Sequence, residues 1–153
     1  MLINTRIFGE VEIADEKIIC MENGIIGFPD LKHFALIHNS ERSDARMTWM
    51  VSVEEPEFAL PVMDPLMVCP SYNPVVEDEM LRPIGELDPE ELLVLVTITV
   101  PKDVTKMTVN LKAPVIINAK DCRACQLIVE GDEYPVKFPV YDILQSLKGK
   151  EDK

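Results

Sequence analysis

The chain has 153 residues, of which 47% are hydrophobic, and a formal net charge of −12. This length suits one domain with its own core, and the hydrophobic content excludes disorder over most of the chain. With 27 acidic and only 15 basic residues, direct binding to nucleic acid or to an anionic membrane is disfavoured, because both attract Lys and Arg. A basic partner protein complements this charge. The alternative is that the acidity only keeps the protein soluble.

No apolar run approaches the roughly 20 residues that a membrane span requires, and no signal-peptide pattern opens the chain. We therefore expect a cytoplasmic protein whose cysteines are thiols and not a disulfide framework. The cysteines are Cys20, Cys69, Cys122 and Cys125.

The first third of the chain contains short segments typical of β-strands. Residues 1–6 predict a first strand, and residues 7–13 alternate between apolar and acidic side chains, with Gly9 at a turn or bulge. Residues 29–32 predict a single helical turn that begins near a proline. Residues 47–53 predict another strand.

The middle of the chain is dominated by prolines. They recur every four or five residues over 55–75, so this segment is extended chain and turns and not helix. Residues 88–91 predict a second single helical turn. Residues 92–100 are nearly all aliphatic or Thr, as expected for a strand that is covered on both faces. Three further strands are predicted over residues 107–111, 125–129 and 136–140.

A short C-terminal helix is predicted by four apolar side chains at helical spacing, with Gly149 as its end. These side chains are Val140, Ile143, Leu144 and Leu147. Many short strands separated by turn residues indicate an antiparallel barrel or sandwich. The sequence thus predicts one mostly-β domain over residues 1–148 and a frayed tail over 149–153.

The sequence contains few residues or motifs that are suited to catalysis or metal binding. The two histidines, His33 and His38, lie five residues apart in a predicted strand and so fall on opposite faces, which disfavours a shared metal. No glycine-rich phosphate loop or nucleophile elbow is present. A small β-barrel enzyme stays open as an alternative, with Glu57 and Asp64 as paired acids, although Asp64 fits a turn better. We expect no cofactor and no enzymatic activity.

Cys122 and Cys125 have the spacing of a redox pair or half a zinc site. A structural zinc site needs a second pair of ligands, and Cys20 and Cys69 are isolated. We interpret Cys125 as a buried small hydrophobe and Cys122 as part of the preceding turn. A redox or metal-binding module is the remaining alternative.

The main cluster of charged residues in the sequence is acidic. The acidic residues cluster over residues 77–91 and are either a solvated face or a docking patch for a basic protein. The clustered residues are Glu77, Asp78, Glu79, Glu86, Asp88, Glu90 and Glu91.

Four stretches together resemble the FliW family of bacterial flagellar assembly factors. The first is residues 23–29, Asn-Gly-Ile-Ile-Gly-Phe-Pro, and the others lie near residues 49–65, 93–100 and 108–129. In the last stretch, residues 107–118 read Met-Thr-Val-Asn-Leu-Lys-Ala-Pro-Val-Ile-Ile-Asn, two β-type runs around a Lys-Ala-Pro joint. The match covers residues 2–144, and the Cys122 and Cys125 pair lies outside the pattern.

The resemblance implies a β-barrel-like domain with a non-enzymatic, chaperone-like role in flagellar assembly. Members of the family bind newly made cytosolic flagellin. They also bind CsrA, a small basic dimer that represses translation of flagellin mRNA. Secretion of flagellin would free the protein to bind CsrA and relieve that repression.

Two sets of residues are candidate partner contacts. Charge complementarity favours the acidic residues between Glu77 and Glu91 as the surface that faces CsrA. Ile3, Asn4, Phe28 and Asn110 are candidate contacts that equally suit a role in folding. Gly24 and Gly27 are expected at turns that need positive φ.

Overall fold

The structure, a computed structural model, describes residues 2–5, 9–38, 48–74, 78–85, 89–129 and 133–151. The strands are β1 (Leu2–Thr5), β2 (Gly9–Glu12), β3 (Ile19–Cys20), β4 (His33–His38), β5 (Thr48–Ser52), β6 (Ala59–Met63), β7 (Leu92–Thr99), β8 (Thr108–Val109), β9 (Val115–Asn118), β10 (Arg123–Gln126) and β11 (Phe138–Pro139). Short 3₁₀-helices occupy Asp15–Lys17, Pro65–Met67, Asp78–Ile84, Pro89–Glu91 and Val104–Lys106, and the α-helix α1 spans Tyr141–Glu151.

A closed barrel forms the centre of the fold. Its strands follow the order β3-β4-β5-β6-β7-β9-β10, and β10 returns to β3. All neighbours are antiparallel except β3 and β10, which run parallel. An odd number of strands cannot alternate in direction all the way round a ring, so one parallel pair is geometrically required. The predicted mostly-β barrel is confirmed, and the sandwich alternative is wrong.

Side chains from every strand of the barrel fill its interior, because alternate residues of a strand point to the same face. They include Ile19, Phe34, Met50, Val62, Leu95, Ile117 and Ala124. Phe34 and Val62 are fully buried. The interior is therefore a packed core and not a channel.

Two further clusters cover the outside of the barrel. One joins Val96 of β7 to Val109 of β8 and Leu144 of α1. The other joins Ile84, on the Asp78–Ile84 helix, to Ile116 of β9. Strand β7 consequently has apolar contacts on both faces, as its nearly continuous aliphatic sequence predicts.

Residues 23–29 form a double turn that packs against the barrel core through Ile25. Ile25 and Phe28 exchange backbone hydrogen bonds of 2.7 and 3.2 Å. Gly24 has φ +68°, and a Cβ there would lie 2.6 Å from the Pro29 carbonyl oxygen. The positive φ expected at Gly24 and Gly27 is confirmed. This motif is thus part of the packed core, and its turn has no room for a side chain at Gly24.

The Lys-Ala-Pro joint between β8 and β9 is a structural junction. The Asn110 Oδ1 atom accepts hydrogen bonds from the backbone N–H groups of Lys112 and Ala113, at 3.0 and 3.1 Å. The Tyr72 hydroxyl donates to the Leu111 carbonyl at 2.6 Å. These bonds satisfy backbone groups that the sheet leaves unpaired as the chain passes from β8 to β9.

Residues 29–32 do not form the predicted helical turn. Instead, the Leu31 N–H donates to the Phe28 carbonyl at 3.2 Å and closes an isolated, non-helical turn. The Leu31 side chain then enters the barrel core. Burial of Leu31 explains why the chain extends into β4 at this point. The second predicted turn, over residues 88–91, is confirmed by the 3₁₀-helix Pro89–Glu91.

The predicted C-terminal helix is confirmed as α1, with Val140 just before its first residue. The Leu144 N–H donates to the Val140 carbonyl at 2.9 Å. The predicted end at Gly149 is wrong, because α1 continues to Glu151. The division of the chain into residues 1–148 and 149–153 stays a prediction. Within the described ranges, no helix is long and apolar enough to cross a membrane.

Candidate partner-binding surface

An open groove of about 630 Å³ lies where β6 ends and β7 begins, and we call it the β7 groove. Leu66 and Leu93 contribute the most accessible apolar surface, with 51% and 46% of each residue exposed. The full set of described lining residues is Leu36, Thr48, Asp64, Pro65, Leu66, Tyr72, Asn73, Pro74, Leu81, Leu92, Leu93, Val94, Leu95, Pro114 and Ile116. Such a concave, leucine-rich surface is typical of a binding site.

The ionisable side chains that line the described part of the β7 groove are already engaged in the fold. The Asp64 Oδ1 atom accepts a hydrogen bond of 2.9 Å from the Leu66 N–H and caps the Pro65–Met67 helix. Burial, followed by the nearby Tyr134 and Cys69, raises the pKa of Tyr72 to about 12. Its hydroxyl therefore stays protonated and donates to the Leu111 carbonyl. The groove presents apolar surface rather than a pair of acids.

The enzyme alternative named Glu57 and Asp64 as paired acids. Glu57 is exposed and is not among the described residues that line the β7 groove. Asp64 acts as a helix cap. The structure does not bring these two side chains together in the groove.

Exposed acidic residues stand on two elements beside the β7 groove. Leu81 lines the groove from the Asp78–Ile84 helix, which also carries Glu79. Leu92 lines it too and follows directly after Glu90 and Glu91. The three glutamates are exposed. One exposed basic residue, Arg82, lies on the same helix as Glu79. An apolar groove with a mostly acidic border suits a segment that is apolar and basic.

The remaining members of the predicted acidic patch give less information. Asp78 begins the Asp78–Ile84 helix. Glu77, Glu86 and Asp88 lie outside the described residues. The role of this patch in binding stays a prediction.

Ile3 and Asn4 lie in the hairpin of β1 and β2, where they pair with Val11 and Glu10. Ile3 is only 3% exposed, so its side chain has almost no surface to offer a partner. Asn4 is exposed and remains a candidate contact. Because successive residues of a strand point to opposite faces, the Ile3 side chain faces the interior and the Asn4 side chain faces solvent.

Phe28 and Asn110 also differ in accessibility. Phe28 is 49% exposed, and its ring centroid lies 4.7 Å from that of Phe58. Beside it, the Ile26 N–H donates to the Gln126 Oε1 atom at 2.9 Å. Asn110 is partly buried, and its side chain closes the turn after β8. Phe28 can contact a partner, whereas Asn110 serves the fold.

The Cys122 and Cys125 side chains contact different parts of the molecule. Cys122 lies in a turn with φ +52°, and its Sγ atom donates to the Glu16 carbonyl at 3.0 Å. Cys125 is buried against the Asp78–Ile84 helix in the second outer cluster. Burial raises the pKa of the Cys125 thiol to about 11. The interpretation of Cys125 as a buried hydrophobe with Cys122 in the preceding turn is confirmed.

His33 and His38 begin and end β4, so their positions fall on opposite faces of the strand. The His33 Nδ1 atom lies 2.9 Å from the Glu54 Oε2 atom. Among the described residues, no group of three or more His, Cys, Asp or Glu side chains could hold a metal ion.

Comparison with known proteins identifies the family to which the chain belongs. The FliW family model, described as FliW protein, matches residues 2–140. The chain belongs to the FliW family. A flagellar assembly factor FliW from Lachnoclostridium phytofermentans is 42% identical over 153 residues, which cover 99% of this chain and 98% of that protein. One from Lachnospira eligens is 43% identical over 147 residues, covering 95% and 97%.

A crystal structure of the flagellar assembly factor FliW has the same fold. It superposes with a TM-score of 0.83 at 26% identity and covers 92% of this chain and 97% of that one. The FliW resemblance seen in the sequence is thus confirmed. The relatives named here are described as assembly factors and not as enzymes.

Sequence reasoning missed the β7 groove and the exposed leucines Leu66 and Leu93. A partial signal was available, because Asp64 and Pro65 interrupt a segment that is predicted to be extended chain. A strand that ends early leaves a gap beside its neighbour. Which neighbour has the gap depends on the pairing of Met63 with Val96, which local sequence does not encode.

Proposed function

We propose that this FliW protein binds flagellin and CsrA in the cytoplasm and couples flagellin supply to flagellin synthesis. While flagellin accumulates, it occupies the protein. When flagellin is exported, the protein binds CsrA and relieves repression of flagellin mRNA. Membership in the FliW family is the observation that carries this proposal.

Charge supports the choice of a basic partner. The chain has a net charge of −12, and exposed Glu79, Glu90 and Glu91 lie beside the apolar β7 groove. Opposite charge accelerates encounter with a basic protein, and an apolar centre supplies binding free energy that persists at high salt. An acidic protein beside an RNA-binding surface also repels RNA phosphates.

The mechanism is partner exchange by mass action. A protein shared between two ligands shifts toward CsrA as free flagellin falls, and neither step makes or breaks a covalent bond. The exposed apolar and acidic surface beside the β7 groove supports this role. The fold contributes by holding that surface on a rigid barrel, which limits the entropy lost on binding.

Isothermal titration of the purified protein with purified flagellin, and separately with purified CsrA, tests the proposal. We expect a saturable complex with each. A translation reporter with the flagellin mRNA leader should be repressed by CsrA, restored by this protein, and repressed again when flagellin is added. Absence of binding to both proteins would refute the proposal.

A charge-matched pair of variants tests the acidic border. Glu79→Gln, Glu90→Gln and Glu91→Gln together remove three charges beside the β7 groove. Glu10→Gln, Glu16→Gln and Glu22→Gln remove three exposed charges elsewhere. We expect the first triple variant to bind CsrA several-fold more weakly, with a smaller salt dependence of the association rate, and the second to bind nearly as the wild type. Equal behaviour of the two triple variants would assign the effect to net charge alone.

A further inference from the structure

The first half of β7 is a sheet edge that faces the β7 groove. Strand β9 pairs with residues 92–95 on one side. On the other side, β6 ends at Met63, opposite Val96, and the chain turns away at Asp64 into the Pro65–Met67 helix. Within the part of the chain that the structure describes, no strand therefore pairs with residues 92–95 on the groove side.

The phase of the hydrogen bonds decides which backbone groups face the groove. Antiparallel neighbours alternate between residue pairs that exchange backbone hydrogen bonds and pairs that do not. The Ala119 N–H donates to the Glu91 carbonyl at 2.9 Å, so the odd-numbered residues of this segment bond toward β9. Val94 consequently directs both its N–H and its C=O group toward the side of the groove. Leu92 directs its C=O group there as well, whereas its N–H closes the last turn of the Pro89–Glu91 helix.

We infer that an extended segment of a partner protein adds to β7 at this edge as an extra strand. The inference rests on the proposed function, because it assumes that the protein acts by binding other proteins. Main-chain hydrogen bonds to the Val94 N–H and C=O groups and to the Leu92 C=O group would supply the register. Strand addition at an exposed sheet edge is a general mode of peptide recognition, and backbone groups aimed into an apolar groove favour it over a docked helix, which satisfies its own backbone.

The surroundings of the edge define the chemistry of the added segment. Leu66 and Leu93 are exposed beside it, so side chains that point into the groove are apolar. Glu90 and Glu91 directly precede Leu92, so lysine or arginine suits the end of the segment that reaches them. An added strand opposite four residues of β7 is about 13 Å long. The occupant is therefore a short basic segment with apolar side chains at alternate positions.

Residue-resolved amide exchange by NMR tests the strand addition directly. Exchange is measured on the isotope-labelled chain alone, with purified CsrA, and with purified flagellin. In the complex with the partner that uses this edge, the Val94 amide should exchange at least about tenfold more slowly than in the free protein. The Leu93 and Leu95 amides, which bond toward β9, serve as internal controls and should be slow throughout.

The outcomes separate the inference from the proposed function. If CsrA or flagellin binds and the Val94 amide exchanges as fast as before, the inference is wrong and the proposed function stands. If neither protein binds, the proposed function fails and the inference fails with it. Slowing that extends equally over the whole barrel would also overturn the inference, because it would report general stabilisation.

A matched pair of substitutions tests the side-chain part of the site. Leu66→Lys places a positive charge in the groove, whereas Val104→Lys places it on the Val104–Lys106 helix at a residue that is 47% exposed. We expect Leu66→Lys to weaken binding of the basic partner at least about tenfold and Val104→Lys to change it less than about twofold. Equal losses in the two variants would contradict the inference. Melting curves of both variants check that each is folded.

Discussion

Tyr72 and Tyr134 meet edge to face, with ring centroids 4.6 Å apart, and their hydroxyl groups play opposite roles. Tyr72 donates to the Leu111 carbonyl at 2.6 Å, and Tyr134 accepts from the Asn73 N–H at 2.8 Å. The pair thus fastens the segment after β6 to the junction between β8 and β9. Since Tyr72 and Asn73 also line the β7 groove, this contact holds one wall of the candidate binding surface.

Tyr72→Phe should lower the free energy of unfolding by about 1–2 kcal/mol, because the buried Leu111 carbonyl loses its side-chain donor while the ring contact remains. Urea denaturation measures the change. Tyr141→Phe, which removes a hydroxyl from the first residue of α1, is the control and should cost less than about 0.5 kcal/mol. Equal costs would mean that the Leu111 hydrogen bond adds little.

Gly24→Ala and Gly9→Ala separate the cost of backbone strain from that of a steric clash. Both glycines have φ +68°, but only at Gly24 would a Cβ meet other atoms, 2.6 Å from the Pro29 carbonyl oxygen. Gly9→Ala should cost about 1–2 kcal/mol of stability and Gly24→Ala at least about 3 kcal/mol. Thermal and urea unfolding give the comparison. A similar loss at both positions would show that the turn can relax around the added methyl group.

Glu54 should make stability depend on acidity in a defined direction. Burial raises the pKa of its carboxyl group, but hydrogen bonds from the His33 ring and from the His33 and Lys32 N–H groups outweigh burial, and the net pKa is lowered. The N–H bonds measure 2.9 Å from His33 and 3.1 Å from Lys32. These contacts tie the end of β5 to the start of β4.

A lowered carboxyl pKa stabilises the fold fully above the ordinary value of about 4.3, and the stabilisation is lost as pH falls through the folded-state value. Glu54→Gln should therefore be less stable than the wild type at pH 7, and the difference should shrink below about pH 4. Glu55→Gln, which removes the same charge at the neighbouring residue, provides the control. A difference between Glu54→Gln and the wild type that is constant with pH would contradict the assignment.

Thiol labelling should distinguish Cys125 from Cys20. Cys20 is exposed, whereas Cys125 is buried and its pKa is raised to about 11. At pH 8 an aromatic disulfide reagent should label Cys20 quickly and Cys125 only as fast as the protein unfolds. Cys20→Ser should lower the amplitude of the fast phase by one thiol, leaving the half-buried Cys69 and Cys122 to react, and Cys125→Ala should leave the fast phase intact. Fast labelling of Cys125 in the folded protein would revive the redox-pair alternative.

Much of the fold follows from local sequence. Strand β7 was predicted from its aliphatic run, and β1 and β5 were predicted from short runs of apolar and β-branched residues. The prolines of residues 55–75 correctly exclude an α-helix there. Burial of the Leu31 side chain overrode the local preference for a helical turn at Pro29.

Ring closure could not be predicted from the residues alone. Strand β3 has two residues, too few to show any periodicity, and its partner β10 lies far along the chain. The acidic border of the candidate site is visible as charge in the sequence. The groove beside it depends on where β6 leaves the sheet, and only the tertiary register of Met63 and Val96 fixes that position.

The parallel pairing of β3 with β10 also determines when the fold can be completed during synthesis. Strand β10 fills the space between β9, which it joins over four residue pairs, and β3, which it joins through Arg123 and Cys20. Until Gln126 has emerged from the ribosome, β3 and β9 each leave a border of the nascent sheet unpaired, in addition to the β7 edge at residues 92–95. Such borders invite pairing with other chains. Strand β10, the last barrel strand to be translated, therefore covers the borders of β3 and β9 and lowers the risk that the nascent chain aggregates.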